Sequence, residues 1–141
     1  MFAKKTINIV LADTDKNVRN CFRSVLGKEL DMNVVAEAED IASTVHLLSE
    51  LKPDVIVIDS DLVDLTGNHQ LSQCIIGMPD VKVLVVSFHS DSRFVIRMLH
   101  AGASGYMLKD CAYEELAPAI RTIISNKTYI SPGIAGISKE E

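Results

Sequence analysis

The stretch Lys52-Pro-Asp-Val-Ile-Val-Ile-Asp59 decides the fold, because residues 55–58 form an apolar, β-branched run that ends in a carboxylate. An apolar run without polar alternation is typical of a strand that is covered on both faces, as in a parallel sheet. Four further runs resemble it, the last two more weakly: residues 6–12, 81–86, 32–36 and 105–108. The sequence therefore predicts five strands.

Helical patterns separate these strands along the chain. Residues 18–26 and 41–48 each place one apolar stripe on a helix, and Asp15 and Asp40 stand where the N-caps of these two helices belong. Three further helices are expected over residues 67–76, 93–99 and 113–124. Strict alternation of strands and helices predicts a single doubly wound α/β domain, (βα)5, with a five-stranded parallel sheet and helices on both faces.

Composition and charge exclude several classes of function. The chain has 141 residues, the size of one domain, and 48% of them are hydrophobic. The net charge is −5, whereas a protein that binds nucleic acid directly needs a basic face. No apolar run approaches the ~20 residues that span a bilayer, and the first residues lack a signal-peptide pattern. We expect a cytoplasmic domain that binds neither nucleic acid nor membrane by itself.

Four polar side chains follow predicted strands directly. Asp13 follows the first strand, Asp59 the third, Ser87 the fourth and Lys109 the fifth. Because the carboxyl ends of parallel strands meet at one edge of a sheet, we expect these side chains to lie close together. Two carboxylates suit a hard cation such as Mg²⁺, and an ammonium and a hydroxyl suit the oxygens of a phosphoryl group. The alternative is that each residue merely ends its strand, which four such residues together disfavour.

Four stretches then carry a resemblance to a known family: Ile9-Val-Leu-Ala-Asp13, Lys52-Pro-Asp-Val-Ile-Val-Ile-Asp59, Val83-Leu-Val-Val-Ser87 and Ala101-Gly-Ala-Ser-Gly-Tyr-Met-Leu-Lys109-Asp110. In this order and at these intervals they resemble the receiver domains of two-component response regulators, in detail the NarL/FixJ (LuxR-type) branch. The resemblance extends from about residue 6 to residue 131. It implies the flavodoxin-like fold of CheY-like receivers.

The resemblance also implies a phosphorylation site. Asp59 would be the phosphoacceptor, receiving a phosphoryl group from a histidine of a sensor kinase. Lys109 would pair with a phosphoryl oxygen. Mg²⁺ would be held by Asp13, by Asp59 and by the backbone carbonyl of Asp61.

A switch follows from the same resemblance. Ser87 would hydrogen-bond the phosphoryl group, and Tyr106 would turn inward with it, which changes the face formed by the helix after strand four, strand five and the last helix. The domain would be a self-phosphorylating signalling domain rather than an enzyme, with at most weak autophosphatase activity. A homodimer is a further partner that the family implies.

One position departs from the family pattern. Two adjacent acidic residues usually follow the first strand, and here the pair is Asp13-Thr14. A missing carboxylate at ~4 Å from an ion loses about 4 kcal/mol per unit charge at an effective dielectric of 20, so Mg²⁺ is expected to bind weakly. Asp15 is a candidate substitute ligand, although it also stands at the N-cap of the first helix. A pseudo-receiver, an interaction module independent of phosphorylation, is therefore the first alternative.

A second alternative belongs to another class of protein. Asp59-Ser60-Asp61 resembles the Asp-x-Asp nucleophile and acid of haloacid-dehalogenase-type phosphohydrolases. Such enzymes need a further acidic metal ligand after a later strand, where this chain has Ser87-Phe-His. This alternative is the weakest of the three hypotheses.

The end of the chain has a different character. Residues 126–141 contain Asn126-Lys-Thr-Tyr-Ile-Ser-Pro132-Gly133 and read as a linker or tail, so the receiver domain is expected over residues 1–125. In the LuxR-type branch this linker leads to a helix-turn-helix domain. We therefore expect contact with DNA only through such a C-terminal domain, which these residues do not include.

Overall fold

The strands form one parallel sheet. The computed structural model describes residues 5–64 and 69–134, and its strand order is β2-β1-β3-β4-β5-β6. The strands are β1 (Ile7–Ala12), β2 (Met32–Ala38), β3 (Val55–Asp59), β4 (Lys82–Ser87), β5 (Gly105–Leu108) and β6 (Tyr129–Ile130). The predicted doubly wound α/β fold with five core strands is confirmed. The short sixth strand was not predicted.

Helices connect the strands. They are α1 (Lys16–Leu26), α2 (Ile41–Leu51), α3 (Ser60–Asp64), α4 (His69–Ile76), α5 (Ser92–His100) and α6 (Ala112–Ile124). Asp15 and Asp40 cap α1 and α2, as predicted, by accepting hydrogen bonds from the backbone N–H groups of Asn17 and Ser43. The start of the helix expected at residue 67 lies outside the described residues, and the short α3 was not predicted. None of the helices described here combines the length and apolarity needed to cross a bilayer.

The core has two halves, one on each face of the sheet. Along β1, Ile9 and Leu11 belong to the half that contains Phe22 of α1, and the intervening Val10 and Ala12 belong to the other half. All these side chains are buried because successive residues of a strand point to opposite faces. This two-sided burial explains why the central strands are apolar runs without alternation.

The strand order identifies the point on the sheet at which a binding site is expected. β1 pairs with β2 on one side and with β3 on the other, so the chain reverses its winding direction between β1 and β3. In open parallel sheets, ligands bind outside the carboxyl ends of the strands at such a point. The first residue after β1 is Asp13 and the last residue of β3 is Asp59. The topology therefore brings two carboxylates to the position where a ligand would bind.

The sixth strand lies against β5 in the stretch for which the sequence predicts a linker. Ser131 donates its backbone N–H to the carbonyl of Tyr106 at 3.0 Å, and its hydroxyl oxygen accepts from the N–H of Leu108 at 2.9 Å. The same hydroxyl donates to Glu115 of α6 at 2.6 Å. A Cβ at Gly105 would lie 3.0 Å from the carbonyl oxygen of Tyr129, so glycine allows this close approach.

Exchange of Gly105 for alanine tests that approach. The new methyl group would lie closer to the backbone of β6 than an ordinary van der Waals contact, and overpacking of this kind costs about 1–3 kcal/mol. We expect the free energy of unfolding, measured by urea denaturation, to fall by that amount. Gly77→Ala is the matched control, because its Cβ would lie 3.5 Å from its nearest neighbour, an ordinary contact. Equal stability of the two variants would contradict the assigned role of Gly105.

Candidate phosphorylation site

Two carboxylates and one ammonium group meet at the carboxyl edge of the sheet. Nζ of Lys109 lies 2.8 Å from Oδ2 of Asp13 and 2.9 Å from Oδ1 of Asp59. The three side chains are at most 8% exposed. Lys109 reaches this position because it directly follows β5, two strands away from β3. The structure thus brings together three of the four strand-end residues singled out in the sequence.

Burial and pairing act against each other in this cluster. Burial raises the pKa of the Asp59 carboxyl, the hydrogen bond from Lys109 opposes this, and the charge of Asp13 adds to the increase, so the net direction is upward. Burial alone would lower the pKa of Lys109, but its pairing with Asp13 and Asp59 raises it. The lysine therefore stays protonated. With both carboxylates ionised, the cluster carries one net negative charge.

The loop after β1 is held by its own hydrogen bonds. Oδ1 of Asp13 accepts the backbone N–H of Asp15 at 2.8 Å, while the Asp15 carboxylate caps α1. The guanidinium of Arg19 donates to the backbone carbonyl of Asp13 and, at 2.9 Å, to Glu37. Arg19 and Arg23 together lower the pKa of Glu37 despite its partial burial. Asp13 therefore lies on a braced loop, and Asp15 is engaged in capping.

Ser87 lies at the neighbouring strand end within a group of buried hydroxyls. Its Oγ accepts from Oγ of Ser60 at 2.8 Å and from the backbone N–H of His89 at 3.0 Å. Tyr106 is fully buried, and its hydroxyl donates to the carbonyl of His89 at 2.8 Å. Burial raises the pKa of the Tyr106 hydroxyl. Tyr106 is thus turned inward, toward the strand ends.

Asp61 occupies a different environment from Asp13 and Asp59. Its side chain is 72% exposed and lies 3.9 Å from Nε2 of His89. The Asp61 carboxylate is therefore a surface group on α3, and only its backbone carbonyl remains as a candidate ligand.

Two neighbours of the cluster were missed in the sequence. Ser60 is 1% exposed, so a hydroxyl occupies a buried position directly after Asp59. Phe88 is 69% exposed, and its ring centre lies 5.2 Å from Nζ of Lys109. The available signal for Ser60 was its place in the sequence, directly after Asp59 and the buried strand that precedes it. An exposed phenylalanine gives no signal in sequence.

The residues present fit a magnesium ion with few protein ligands. Among the described residues, no three His, Cys, Asp or Glu side chains cluster as metal ligands. Two carboxylates are nevertheless the number that Mg²⁺ commonly takes from a protein, with water completing its shell. Oδ2 of Asp13 is buried and is paired with the Lys109 ammonium at 2.8 Å. A metal ion at Asp13 would therefore share this carboxylate with Lys109.

Comparison with known proteins defines the class. The family model described as "Response regulator receiver domain" matches residues 9–121. The chain belongs to the response regulator receiver family, whose members are signalling domains that in general bind Mg²⁺ at the phosphorylation site. Within this family it is a receiver domain of the NarL/LuxR type.

Individual relatives support this assignment. The chain is 35% identical to the transcriptional regulatory protein DegU of Brevibacillus brevis over 91% of its own length and 54% of that protein. It is 33% identical to the response regulator GacA of Pseudomonas aeruginosa, over 92% of this chain and 60% of that protein. The chain thus spans little more than half the length of these curated relatives.

A solved structure gives the same result. The crystal structure of a LuxR-family two-component response regulator from Aurantimonas sp. SI85-9A1 is 31% identical and superposes with a TM-score of 0.84. The superposition covers 93% of this chain and 94% of that chain. These comparisons give no support to the phosphohydrolase or to the pseudo-receiver alternative.

Exchange of Asp59 for asparagine tests the electrostatics. Because the pKa of Asp59 is raised above its ordinary value of 3.8, the folded state binds this proton more tightly than the unfolded state. The stability from this group is full below the ordinary pKa and is lost as pH rises through the raised value. We expect Asp59→Asn, in metal-free buffer, to be more stable than the wild type near pH 7.

The same experiment contains its control. The stability difference, measured by urea denaturation, should shrink as pH is lowered from 7 through the raised pKa of Asp59, because the wild-type carboxyl then takes up a proton and loses its charge. Asp54→Asn makes the same substitution at the other end of the β3 segment, where Asp54 accepts from Asn8. A gain for Asp59→Asn that is independent of pH would refute the charge argument.

Proposed function

We propose that Asp59 accepts a phosphoryl group from a phosphohistidine of a sensor kinase. The observation that carries this proposal is the buried cluster in which one ammonium contacts both Asp13 and Asp59. A carboxylate oxygen of Asp59 attacks phosphorus, a new O–P bond forms, and the P–N bond to the imidazole breaks. The imidazole keeps the bonding electron pair. The product is an acyl phosphate.

Lys109 stabilises the transferred group. Its ammonium contacts Oδ1 of Asp59, so we assign Oδ2 as the attacking oxygen. The cluster has one net negative charge before transfer, and a protonated Lys109 offsets part of the charge that the phosphoryl oxygens add. Because the Lys109 ammonium is nearly buried, its attraction to the phosphoryl oxygens is screened less than at the surface.

Asp13, Asp59 and the backbone carbonyl of Asp61 are the residues that we assign to Mg²⁺, with Asp15 as a secondary candidate. Bound there, the ion would neutralise charge on the phosphoryl oxygens. Asp13 is braced by the N–H of Asp15 and by Arg19, so its position does not depend on the ion. Thr14, which is exposed beside this loop, supplies no carboxylate.

The output that we propose is transcriptional. Ser87 would bond a phosphoryl oxygen, and Tyr106 would report that bond to the face formed by α5, β5 and α6. DegU is by name a transcriptional regulatory protein, which supports such an output. In this proposal residues 1–125 are the receiver, and residues 126–141 lead toward a helix-turn-helix domain that binds DNA. The regulator acts in the cytoplasm, and a homodimer is its active form.

Phosphoryl uptake from acetyl phosphate or from a kinase tests the role of Asp59. We expect Asp59→Asn to reduce uptake to background, because an amide cannot form the acyl phosphate. Intact mass measurement would give the stoichiometry. Asp54→Asn should label like the wild type, since Asp54 lies at the opposite end of the β3 segment. Undiminished labelling of Asp59→Asn would overturn the assignment.

Magnesium titration tests the effect of Thr14. Thr14→Asp, which places a second carboxylate next to Asp13, should tighten Mg²⁺ binding about tenfold or more. Tenfold corresponds to about a third of the ~4 kcal/mol that an added charge supplies at ~4 Å. Isothermal titration calorimetry gives the affinity. Asn17→Asp adds the same charge to the first turn of α1 and should change affinity little.

The titration also separates the receiver from the pseudo-receiver. Saturation of the wild type at millimolar Mg²⁺, together with labelling on Asp59, supports the receiver. Failure of the wild type to bind Mg²⁺ or to take up phosphoryl groups would favour the pseudo-receiver. Turnover of p-nitrophenyl phosphate would instead support the phosphohydrolase.

A further inference from the structure

Ser60 makes a contact that the proposed phosphoryl transfer does not explain. It is the first residue of α3, directly follows Asp59 and is 1% exposed. Its hydroxyl donates to Oγ of Ser87 at 2.8 Å, across the gap between the ends of β3 and β4. Two buried hydroxyls from distant parts of the chain are thereby joined beside the phosphoacceptor.

This contact uses the last acceptor position of Ser87. A hydroxyl has two acceptor lone pairs and one donor hydrogen. Oγ of Ser87 accepts from the N–H of His89 at 3.0 Å and from Ser60, so both lone pairs are used. Its own hydrogen therefore remains for donation to another acceptor.

The link from Ser87 to Tyr106 runs through His89. The backbone N–H of His89 donates to Oγ of Ser87 at 3.0 Å, and the carbonyl of the same residue accepts from the Tyr106 hydroxyl at 2.8 Å. The result is a chain of hydrogen bonds from Ser60 through Ser87 and His89 to Tyr106.

We propose that Ser60 is a positioning residue, which fixes the Ser87 hydroxyl and through it holds Tyr106 in the interior without requiring a phosphoryl group. This inference rests on the function proposed above for Asp59 and Ser87. The chain is built from protein groups alone. With its oxygen held by Ser60 and His89, the Ser87 hydroxyl can turn its hydrogen to a phosphoryl oxygen without moving the oxygen atom.

The consequence concerns the starting position of the switch. An apolar residue at position 60 would leave one lone pair of Ser87 unpaired, and the Ser87 side chain could then rotate away from the N–H of His89, whose carbonyl holds Tyr106. With Ser60 present, the inward position of Tyr106 is favoured before phosphorylation, so phosphorylation has less rearrangement to drive. The residue after the phosphoacceptor thereby sets the resting balance of the switch.

The test follows Tyr106 in protein that has not been phosphorylated. The chain has three tyrosines, so 3-fluorotyrosine labelling gives three ¹⁹F signals, and Tyr106→Phe identifies the relevant one. Broadening by a soluble gadolinium chelate reports solvent exposure, with the 75% exposed Tyr113 as internal reference. We expect the wild-type Tyr106 signal to be protected. Ser60→Ala should shift the inward-to-outward ratio about fivefold, the effect of one lost hydrogen bond.

Two further variants make the result specific. Ser60→Thr restores the hydroxyl and should restore protection. Thr44→Val removes another fully buried hydroxyl, which lies on α2 and donates to the carbonyl of the N-cap residue Asp40. This variant should leave Tyr106 protected even if it lowers stability. If Ser60→Ala fails to fold by circular dichroism, Ser60→Cys, which keeps the size with a weaker donor, replaces it in the same comparison.

The outcomes are separable. A folded Ser60→Ala or Ser60→Cys whose Tyr106 signal is as protected as in the wild type would overturn the role of Ser60. Equal deprotection by Thr44→Val would also overturn it, because the effect would then be a general loss of stability. Failure of Asp59 to take up a phosphoryl group would overturn the proposed function, and the measurement on unphosphorylated protein would still decide whether Ser60 positions Tyr106.

Discussion

The ammonium of Lys109 between the carboxylates of Asp13 and Asp59 is the interaction on which the candidate site depends. Two like charges this close and this buried repel each other and lose hydration, and the single cation compensates only in part. The pKa of Asp59 is raised for this reason. Such a cluster is a poor source of stability, but it holds a buried carboxylate next to a cation, which is the arrangement that the proposed phosphoryl transfer requires.

The sheet supplies the geometry for this interaction. The carboxyl ends of β1 and β3 are neighbours, and β5 brings Lys109 to the same edge from two strands away. The chain winds in opposite directions from β1 and β3, and ligands of open parallel sheets bind at such a point, which here lies between Asp13 and Asp59. The two halves of the core pack against both faces of the sheet.

β5 links the site to the rest of the molecule. Over a few residues it carries Tyr106, which reaches the loop after β4, and Leu108, whose N–H donates to Ser131 beyond β6. Lys109 follows directly. Residues of this strand and the residue after it thus contact the proposed phosphoacceptor Asp59, the loop after β4 and the C-terminal stretch on its edge, and Gly105 allows that stretch to lie close.

Much of this architecture was predictable because its signals are local. Apolar runs such as residues 55–58, caps such as Asp15 and strand-end residues such as Asp59 each owe their character to immediate neighbours in the chain, and the sequence by itself determined the α/β class and the residues of the cluster. The contact of Ser60 with Ser87 joins residues 27 positions apart, and the docking of β6 depends on its fit to β5. Only the tertiary structure decided these features, because a hydroxyl or a short strand has no preferred partner until the packed core brings one within hydrogen-bond distance.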